Sequence, residues 1–425
     1  MRVSVFLPAL LTPLAATAQI IDSPDGETAG IPANYTEAKA GWFELPDPLV
    51  GADGKPFADA AAWREKQRPM VFETVEANQY GRVPPRPAAM TFDVFDKGTP
   101  AFGGKSIRRQ VKITFDEAGE HFLDLVIYQP AGGGGKRPVL VNIGWIGNNL
   151  AVDDPGVKTG RQWNKDKLGR EAATAPNPFG KLNFLPMALE RGYAVAHFNY
   201  TDIEPDDPAG FAHGIRKLYL KDGRTAPAPD EWGAIAAWGW GLSRVIDYLE
   251  TDDGIDAAKV TIFGVSRLGK AVLWTAARDE RVACTLASVS GSGGASLNRR
   301  RYGERPAHLV ARFPHWFAAN FAGWAGREDE APWDSHFTLS LIAPRAVLLQ
   351  TGSTDKWSDP YGEFVAARAA TPVFHLFGQK GIEEYSQPPH GKPVMNRLGY
   401  LMHEGGHGTV PDDWPVFFDF MDRHL

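Results

Sequence analysis

Val260-Thr261-Ile262-Phe263-Gly264-Val265-Ser266-Arg267-Leu268-Gly269-Lys270 decides the fold. Its first four residues are an apolar, β-branched run of the kind that forms a buried strand. After Lys270, the segment Ala271 to Arg278 has helical periodicity. A serine set between a buried strand and a helix, with glycines nearby, is the setting of a nucleophile elbow. That turn is tight enough to strain the serine and expose its oxygen, so its neighbours must be small. The usual pattern is G-x-S-x-G; here Leu268 takes the second glycine's place and Gly269 follows it.

The 425-residue chain is 43% hydrophobic and 23% charged, as a globular protein is, and long enough for one large core. A net charge of −6 argues against nucleic acid or an anionic membrane as partner. Met1 to Ala18 reads as a secretory signal peptide rather than a buried strand. Arg2 supplies the positive end, Val3 to Leu14 is mostly apolar, and Ala16-Thr17-Ala18 fits the cleavage rule, so the mature chain starts near Gln19. This predicts a secreted or periplasmic protein. The lone Cys284 excludes an internal disulfide, and its run Val282 to Val289 reads as a buried strand. An exported chain without disulfides points to a bacterium. Thirteen tryptophans suit core filling, while any exposed one suits stacking on a sugar ring.

Residues 19 to about 87 are proline-rich and polar and predict an N-terminal extension wrapping a core, with a helical region over Asp59 to Tyr80 kinked at Pro69. Strand-like runs follow at Thr91-Phe95, Ser106-Phe115 and His121-Gln129. Buried-strand candidates then come at Val139-Ile143, Ala194-Tyr200, Val260-Phe263, Thr285-Val289, Ala346-Thr351 and Val373-Phe377. They alternate with helix candidates at Trp232-Glu250, Leu268-Arg278, Gly362-Ala370 and Trp414-His424. Hairpin strands followed by β–α units predict one α/β domain, a three-layer sandwich with a mostly parallel central sheet. The polar stretch Asn148 to Phe184 is expected to decorate the strand ends, where such folds keep their sites.

A serine hydroxyl needs a base, and the base needs a partner to hold its tautomer. In an α/β-hydrolase the chain order is serine, acid, histidine. Asp355 follows the strand Ala346-Thr351 and is favoured as the acid over Asp359, which resembles a helix-start residue. His407, in Gly405-Gly406-His407-Gly408, is favoured as the base over His403. His403-Glu404-Gly405-Gly406-His407 also matches the H-E-x-x-H zinc pattern. That pattern works only on a helix, and each of its glycines costs a helix about 1 kcal/mol relative to alanine. No metal and no cofactor is therefore expected. The backbone N–H of Arg267 is placed to help form an oxyanion hole, and its guanidinium either adds charge there or pairs with a nearby carboxylate. Lys270, one helical turn from Ser266, either faces the pocket or is solvated.

The heptad Gly264 to Lys270 resembles the G-C-S-R-x-G-K elbow of the glucuronoyl esterases, carbohydrate esterases of the α/β-hydrolase superfamily. The resemblance extends to Tyr35-Thr36-Glu37, Leu45-Pro46-Asp47-Pro48, Asn78-Gln79-Tyr80-Gly81-Arg82 and Gly291-Ser292-Gly293-Gly294-Ala295. It extends as well to Arg312-Phe313-Pro314-His315-Trp316-Phe317 and Leu341-Ile342-Ala343-Pro344-Arg345. It implies cleavage of the ester between a (4-O-methyl-)glucuronic acid of xylan and a lignin alcohol, with Ser266 as nucleophile, His407 as base and Arg267 at the oxyanion. By the same resemblance Lys270, Glu304 and Trp357 contact the uronate hydroxyls. The chain departs from the family in having Val265 for cysteine. It also lacks the glutamate that many members carry after the strand following the elbow helix; Ala287-Ser288-Val289-Ser290 stands there. The acid role then falls on Asp355, as the resemblance to bacterial members implies. The expected partner is a glucuronoxylan or lignin–carbohydrate ester met by a monomer. An acetyl esterase and a catalytically silent carbohydrate-binding protein are the alternatives.

Overall fold

A nine-stranded sheet organises the protein in the computed structural model, which describes residues 21–51, 53–132, 134–175, 180–221 and 223–425. The signal-peptide segment, residues 1–18, lies outside the described residues. The strands are β1 (Thr91–Ala101), β2 (Ser106–Thr114), β3 (Phe122–Pro130), β4 (Arg137–Gly144), β5 (Ala194–Asn199), β6 (Ile255–Val265), β7 (Val282–Ser288), β8 (Ala346–Gly352) and β9 (Leu398–His403). Their order across the sheet is β9-β8-β7-β6-β4-β5-β3-β2-β1. From β9 to β5 every neighbouring pair is parallel; β3, β2 and β1 join antiparallel at the other edge.

The buried strands carry apolar residues on both faces because both faces are covered. In β6, Val260 and Ile262 join the core on one side of the sheet and Phe263 the core on the other. The first side holds α1 (Ala234–Leu249), α2 (Arg267–Arg278), α3 (Ser335–Ile342) and α4 (Pro360–Leu376), contributing Trp238, Trp274, Leu339 and Phe364. The second holds α5 (Asp413–His424), which brings Trp414, Phe417 and Phe418 against Phe263 and Phe184. This is the expected three-layer arrangement. Cys284 is buried in β7, and burial pushes its thiol up to about 12.

The extension packs as a helical segment, Ala60 to Tyr80, across α2: Phe72 and Tyr80 stack on Trp274 at 5.3 and 4.5 Å between ring centroids. Its helical turns widen to π geometry over Trp63–Gln67, just before Pro69, and again over Glu76–Tyr80. Irregular turns of that kind are where a helix absorbs a bend. Upstream, Asn34 Nδ2 donates to Arg301 O at 2.6 Å and Arg300 Nη1 to Glu37 Oε1 at 2.7 Å, tying the extension to the loops after β7. Among the tryptophans only Trp42 is exposed, at 75%; eight of the other twelve are buried in the core.

One predicted strand is corrected. Val373-Phe377 is the end of α4, whose buried residues Phe364, Ala367, Ala370, Val373 and Phe374 recur at three- and four-residue spacing. The last strand of the sheet is instead Leu398–His403. No helix among the described residues is long and apolar enough to cross a membrane.

Candidate active site

The chain reverses direction across the sheet between β4 and β6, and open α/β sheets bind ligands in the crevice outside the carboxyl ends of strands at such a point. Ser266 stands there, between β6 and α2, at φ +60° and ψ −123°. A non-glycine residue in that region is strained by about 1–3 kcal/mol and persists only where its surroundings impose it. The surroundings are explicit. Ser266 N–H donates to Ser288 O at 2.8 Å, and the first turn of α2 closes from Lys270 N–H to Ser266 O at 3.1 Å. A Cβ on Gly264 would meet Leu268 O at 2.4 Å, and one on Gly269 would meet Ser288 O at 2.9 Å. The second glycine is therefore required where α2 crosses the end of β7, one position later than in the usual elbow.

His407 and Asp355 come from the loops after the last two strands. Gly352 pairs with His403 at the ends of β8 and β9, so the two loops leave the sheet side by side. His407 Nδ1 lies 2.8 Å from Asp355 Oδ2 and 3.2 Å from Ser358 Oγ. Asp355 is buried, whereas the His407 side chain is 45% exposed and reaches the site. The rival Asp359 is structural. It is 1% exposed, caps α4 at Gly362 N–H and accepts from Arg300 Nε at 2.8 Å. The H-E-x-x-H segment is not helical: His403 ends β9 and a loop follows. His403 is buried with both ring nitrogens in hydrogen bonds, while His407 points elsewhere.

Arg267 is both paired and placed. Its Nη1 is bonded to Asp206, and its guanidinium carbon lies 4.6 Å from the Trp316 ring centroid, 5.2 Å from Trp145 and 5.3 Å from Phe313. Asp206 accepts from Trp316 Nε1 at 2.8 Å and lies 2.9 Å from His315 Nε2. Burial works to raise the Asp206 carboxyl, but His315, the Arg267 charge and Trp316 together hold it at about 2. Arg267 Nε is buried without a hydrogen-bond partner. The sequence motif containing His315 and Trp316 was visible, but Asp206, in the polar run Glu204 to Pro208, reads only as a turn residue.

Lys270, Glu304 and Trp357 are brought together. Lys270 Nζ lies 3.6 Å from Glu304 Oε2, and Trp357 Nε1 donates to Glu304 Oε1 at 3.1 Å. Lys270 is not solvated: it is 3% exposed, donates to Ser290 O at 2.5 Å, and burial lowers its pKa against the opposing pull of Glu304. Beneath it Glu363, which sequence reasoning missed, accepts from Gly291 N–H at 2.6 Å and Ser290 Oγ at 3.0 Å.

Ser266, Arg267 and His407 share the wall of one cavity of about 720 Å³. Trp145, Phe184, Met187 and Trp414 supply its apolar lining. Lys270, Glu304 and Trp357 do not line it; they stand toward the β7 and β8 loops. Ser266 thus lines the cavity, and Lys270 of the polar cluster stands one helical turn along α2 from it.

Residues 170–378 match the family described as glucuronyl esterase, fungi. The chain is 37% identical over 414 residues to carbohydrate esterase MZ0003 from an unknown prokaryotic organism, covering 95% of each chain. Among solved structures it is similar to a glucuronoyl esterase from Solibacter usitatus, at 38% identity and a TM-score of 0.88 over 92% of this chain and 100% of that one. It is similar also to a CE15 glucuronoyl esterase from Teredinibacter turnerae T7901, at 30% identity and a TM-score of 0.76 over 91% and 90%.

Proposed function

The chain belongs to the carbohydrate esterase family 15 (CE15) glucuronoyl esterases, and on that premise we propose that it releases glucuronic acid from its esters by acyl transfer through Ser266, His407 and Asp355. The observation that carries this mechanism is the convergence on one cavity wall of a strained elbow serine and a histidine whose Nδ1 is held by Asp355.

Because Nδ1 is engaged by the carboxylate, Nε2 is the nitrogen left to act as base. It takes the proton of Ser266 Oγ as that oxygen attacks the ester carbonyl carbon. The negative charge passes to the carbonyl oxygen. Donors are available there: the first N–H groups of a helix have no intrahelical partner, and Arg267 opens α2. Arg267 Nε, unpartnered while Nη1 is tied to Asp206, is a further donor. The tetrahedral intermediate collapses, the C–O bond to the alcohol breaks, and His407 delivers its proton to the leaving oxygen. Water, deprotonated by His407, then attacks the acyl-enzyme; the ester bond to Ser266 breaks, His407 returns the proton to Ser266 Oγ and the uronic acid leaves.

The polar cluster of Lys270, Glu304 and Trp357 suits the hydroxyls of a sugar acid, with the indole as a stacking face. The apolar cavity suits an aromatic alcohol, which is the arrangement a glucuronate–lignin ester requires. An acetyl group would leave the buried Lys270–Glu304 pair without a partner in substrate.

The test is hydrolysis of methyl glucuronate, methyl galacturonate and an acetyl ester by the wild-type protein and Ser266→Ala. Glucuronate turnover that disappears in the variant is expected, and full activity in Ser266→Ala would sink the mechanism. Export is a further part of the proposal, resting on the signal-peptide character of residues 1–18; N-terminal sequencing of the exported protein should begin near Gln19.

A further inference from the structure

The loop that joins β9 to α5 spans residues 404–412 and carries His407 near its centre. Three glycines give it little stiffness of its own. Among the described residues the ring of His407 has hydrogen bonds only on its Nδ1 side, to Asp355 and Ser358. Something else must hold the backbone from which that ring projects.

The residues flanking the loop do so. His403, the last of β9, and Asp413, the first of α5, are 5% and 1% exposed and lie 2.9 Å apart through Nδ1 and Oδ2. From the loop's start, His403 Nε2 reaches forward to Gly406 O at 3.0 Å. From its end, Asp413 Oδ2 reaches back to accept Val410 N–H at 2.9 Å. The pair closes the loop's two ends on each other and grips its backbone on both sides of His407. The loop is also stitched to the one bearing Asp355: Gly405 N–H donates to Ser353 Oγ at 3.1 Å and Thr354 N–H to Gly405 O at 2.8 Å.

His403 Nδ1 faces the Asp413 carboxylate and Nε2 faces the Gly406 carbonyl, with the amide of Gln350 also against Nδ1. The charged groups around the ring are Asp413 and, further off, Asp355; Gln350 Nε2 is the neutral neighbour, 2.9 Å from Nδ1. Burial works to lower the His403 pKa, but Asp413 and the Gly406 carbonyl outweigh it and raise it.

We propose that His403 and Asp413 form a clasp that positions the general base, holding the 404–412 loop so that His407 keeps its bond to Asp355 and its reach to Ser266. The clasp rests on the reading of His407 as that base. Neither residue touches the reacting atoms; both act through His407.

The experiment measures kcat and KM for methyl glucuronate in His403→Gln and Asp413→Ala. Active sites are titrated with a serine-reactive phosphonate so that lost folded protein does not count. The downfield proton resonance of the His407–Asp355 hydrogen bond is recorded alongside. A misplaced base should lower kcat by about ten- to a hundredfold, with KM within about twofold, and shift or abolish the resonance. Asp413→Ala removes the one oxygen that His403 and Val410 N–H share, so it decides the matter if His403→Gln does not fold. A kcat within about twofold of wild type and an unmoved resonance, whatever the melting temperature, would overturn the clasp. His407→Ala is run beside them: turnover retained there defeats the reading of the base itself, a different failure.

Discussion

Asp355 Oδ2 and His407 Nδ1 meet at 2.8 Å although 52 positions separate them in the chain. The contact exists because β8 and β9 are parallel neighbours whose loops leave the same end of the sheet. Asp359 is four residues from Asp355, carries the same side chain, and is bound instead to Arg300. The two carboxylates should therefore fail differently. Asp355→Asn removes the tautomer control of His407 and should lower kcat by about 10³–10⁴-fold with little loss of melting temperature. Asp359→Asn takes one carboxylate from the buried Arg300, which keeps Glu37, and should cost about 1.5–3 kcal/mol of stability, with kcat per titrated site near wild type. Kinetics and thermal melts on both variants decide it; equal kcat losses would return Asp359 to the catalytic set.

Arg267 is held as a planar group, bonded to Asp206 at one nitrogen and stacked among Trp145, Phe313 and Trp316. Lysine preserves the charge but has neither the fork nor the flat face. Arg267→Lys should lower kcat by about 10²–10³-fold, the range seen when one oxyanion donor is lost, with KM changing far less. A variant with wild-type kcat would mean that the charge alone, or the backbone N–H alone, suffices.

Lys270 and Glu304 form a buried pair beside the nucleophile and take no part in the proton transfers. Their expected effect is on which acyl group is accepted. Lys270→Met, similar in length and uncharged, should weaken kcat/KM for methyl glucuronate by about 1.5–3 kcal/mol, roughly ten- to a hundredfold, the worth of a hydrogen bond from a charged group. Hydrolysis of a simple acetyl ester by the same variant should be almost unchanged. Parallel losses on both esters would show that the lysine supports the elbow rather than the sugar.

What could be read along the chain was local. The elbow is one strand, one turn and one helix in succession, and each announces itself by its own periodicity. Asp355 could be picked from the strand it follows, Ala346-Thr351, whereas His407 could be picked only from its glycine-flanked place late in the chain, because the strand it follows was not read. Val373-Phe377 misled because a short apolar run looks alike in a strand and on the buried face of a helix. Leu398–His403 escaped notice because Gly399 interrupts it. Asp206 was out of reach for a different reason: it meets Arg267 from 61 positions away, and nothing near either residue records that approach. The same holds for Ser358 against His407 and for Glu363 beneath the loop of Ser290 and Gly291.

Glu363 carries a prediction in pH. It is fully buried on α4, one oxygen accepts from Gly291 N–H and Ser290 Oγ, and the other has no partner. Burial outweighs these hydrogen bonds and the nearby Lys270 charge, and the carboxyl is raised from 4.5 to about 8. Between those values the folded protein retains a proton that the unfolded chain has released. Folded protein binding more protons means that stability falls as pH rises. The contribution is therefore whole below about pH 4.5, declines across the interval, and is gone above about pH 8. Glu363→Gln mimics the neutral acid: its carbonyl oxygen serves the same two donors, and it cannot ionise. Its melting temperature should match wild type most closely near pH 4.5 and gain on it steadily toward pH 8.5, the difference flattening once the wild-type carboxyl is ionised in both states. Paired thermal melts of the two proteins over that range provide the measurement. A constant gap across the range, or one that moves in the variant's disfavour as pH rises, would show that Glu363 is already ionised at low pH and that Lys270 has a full counter-charge beneath it.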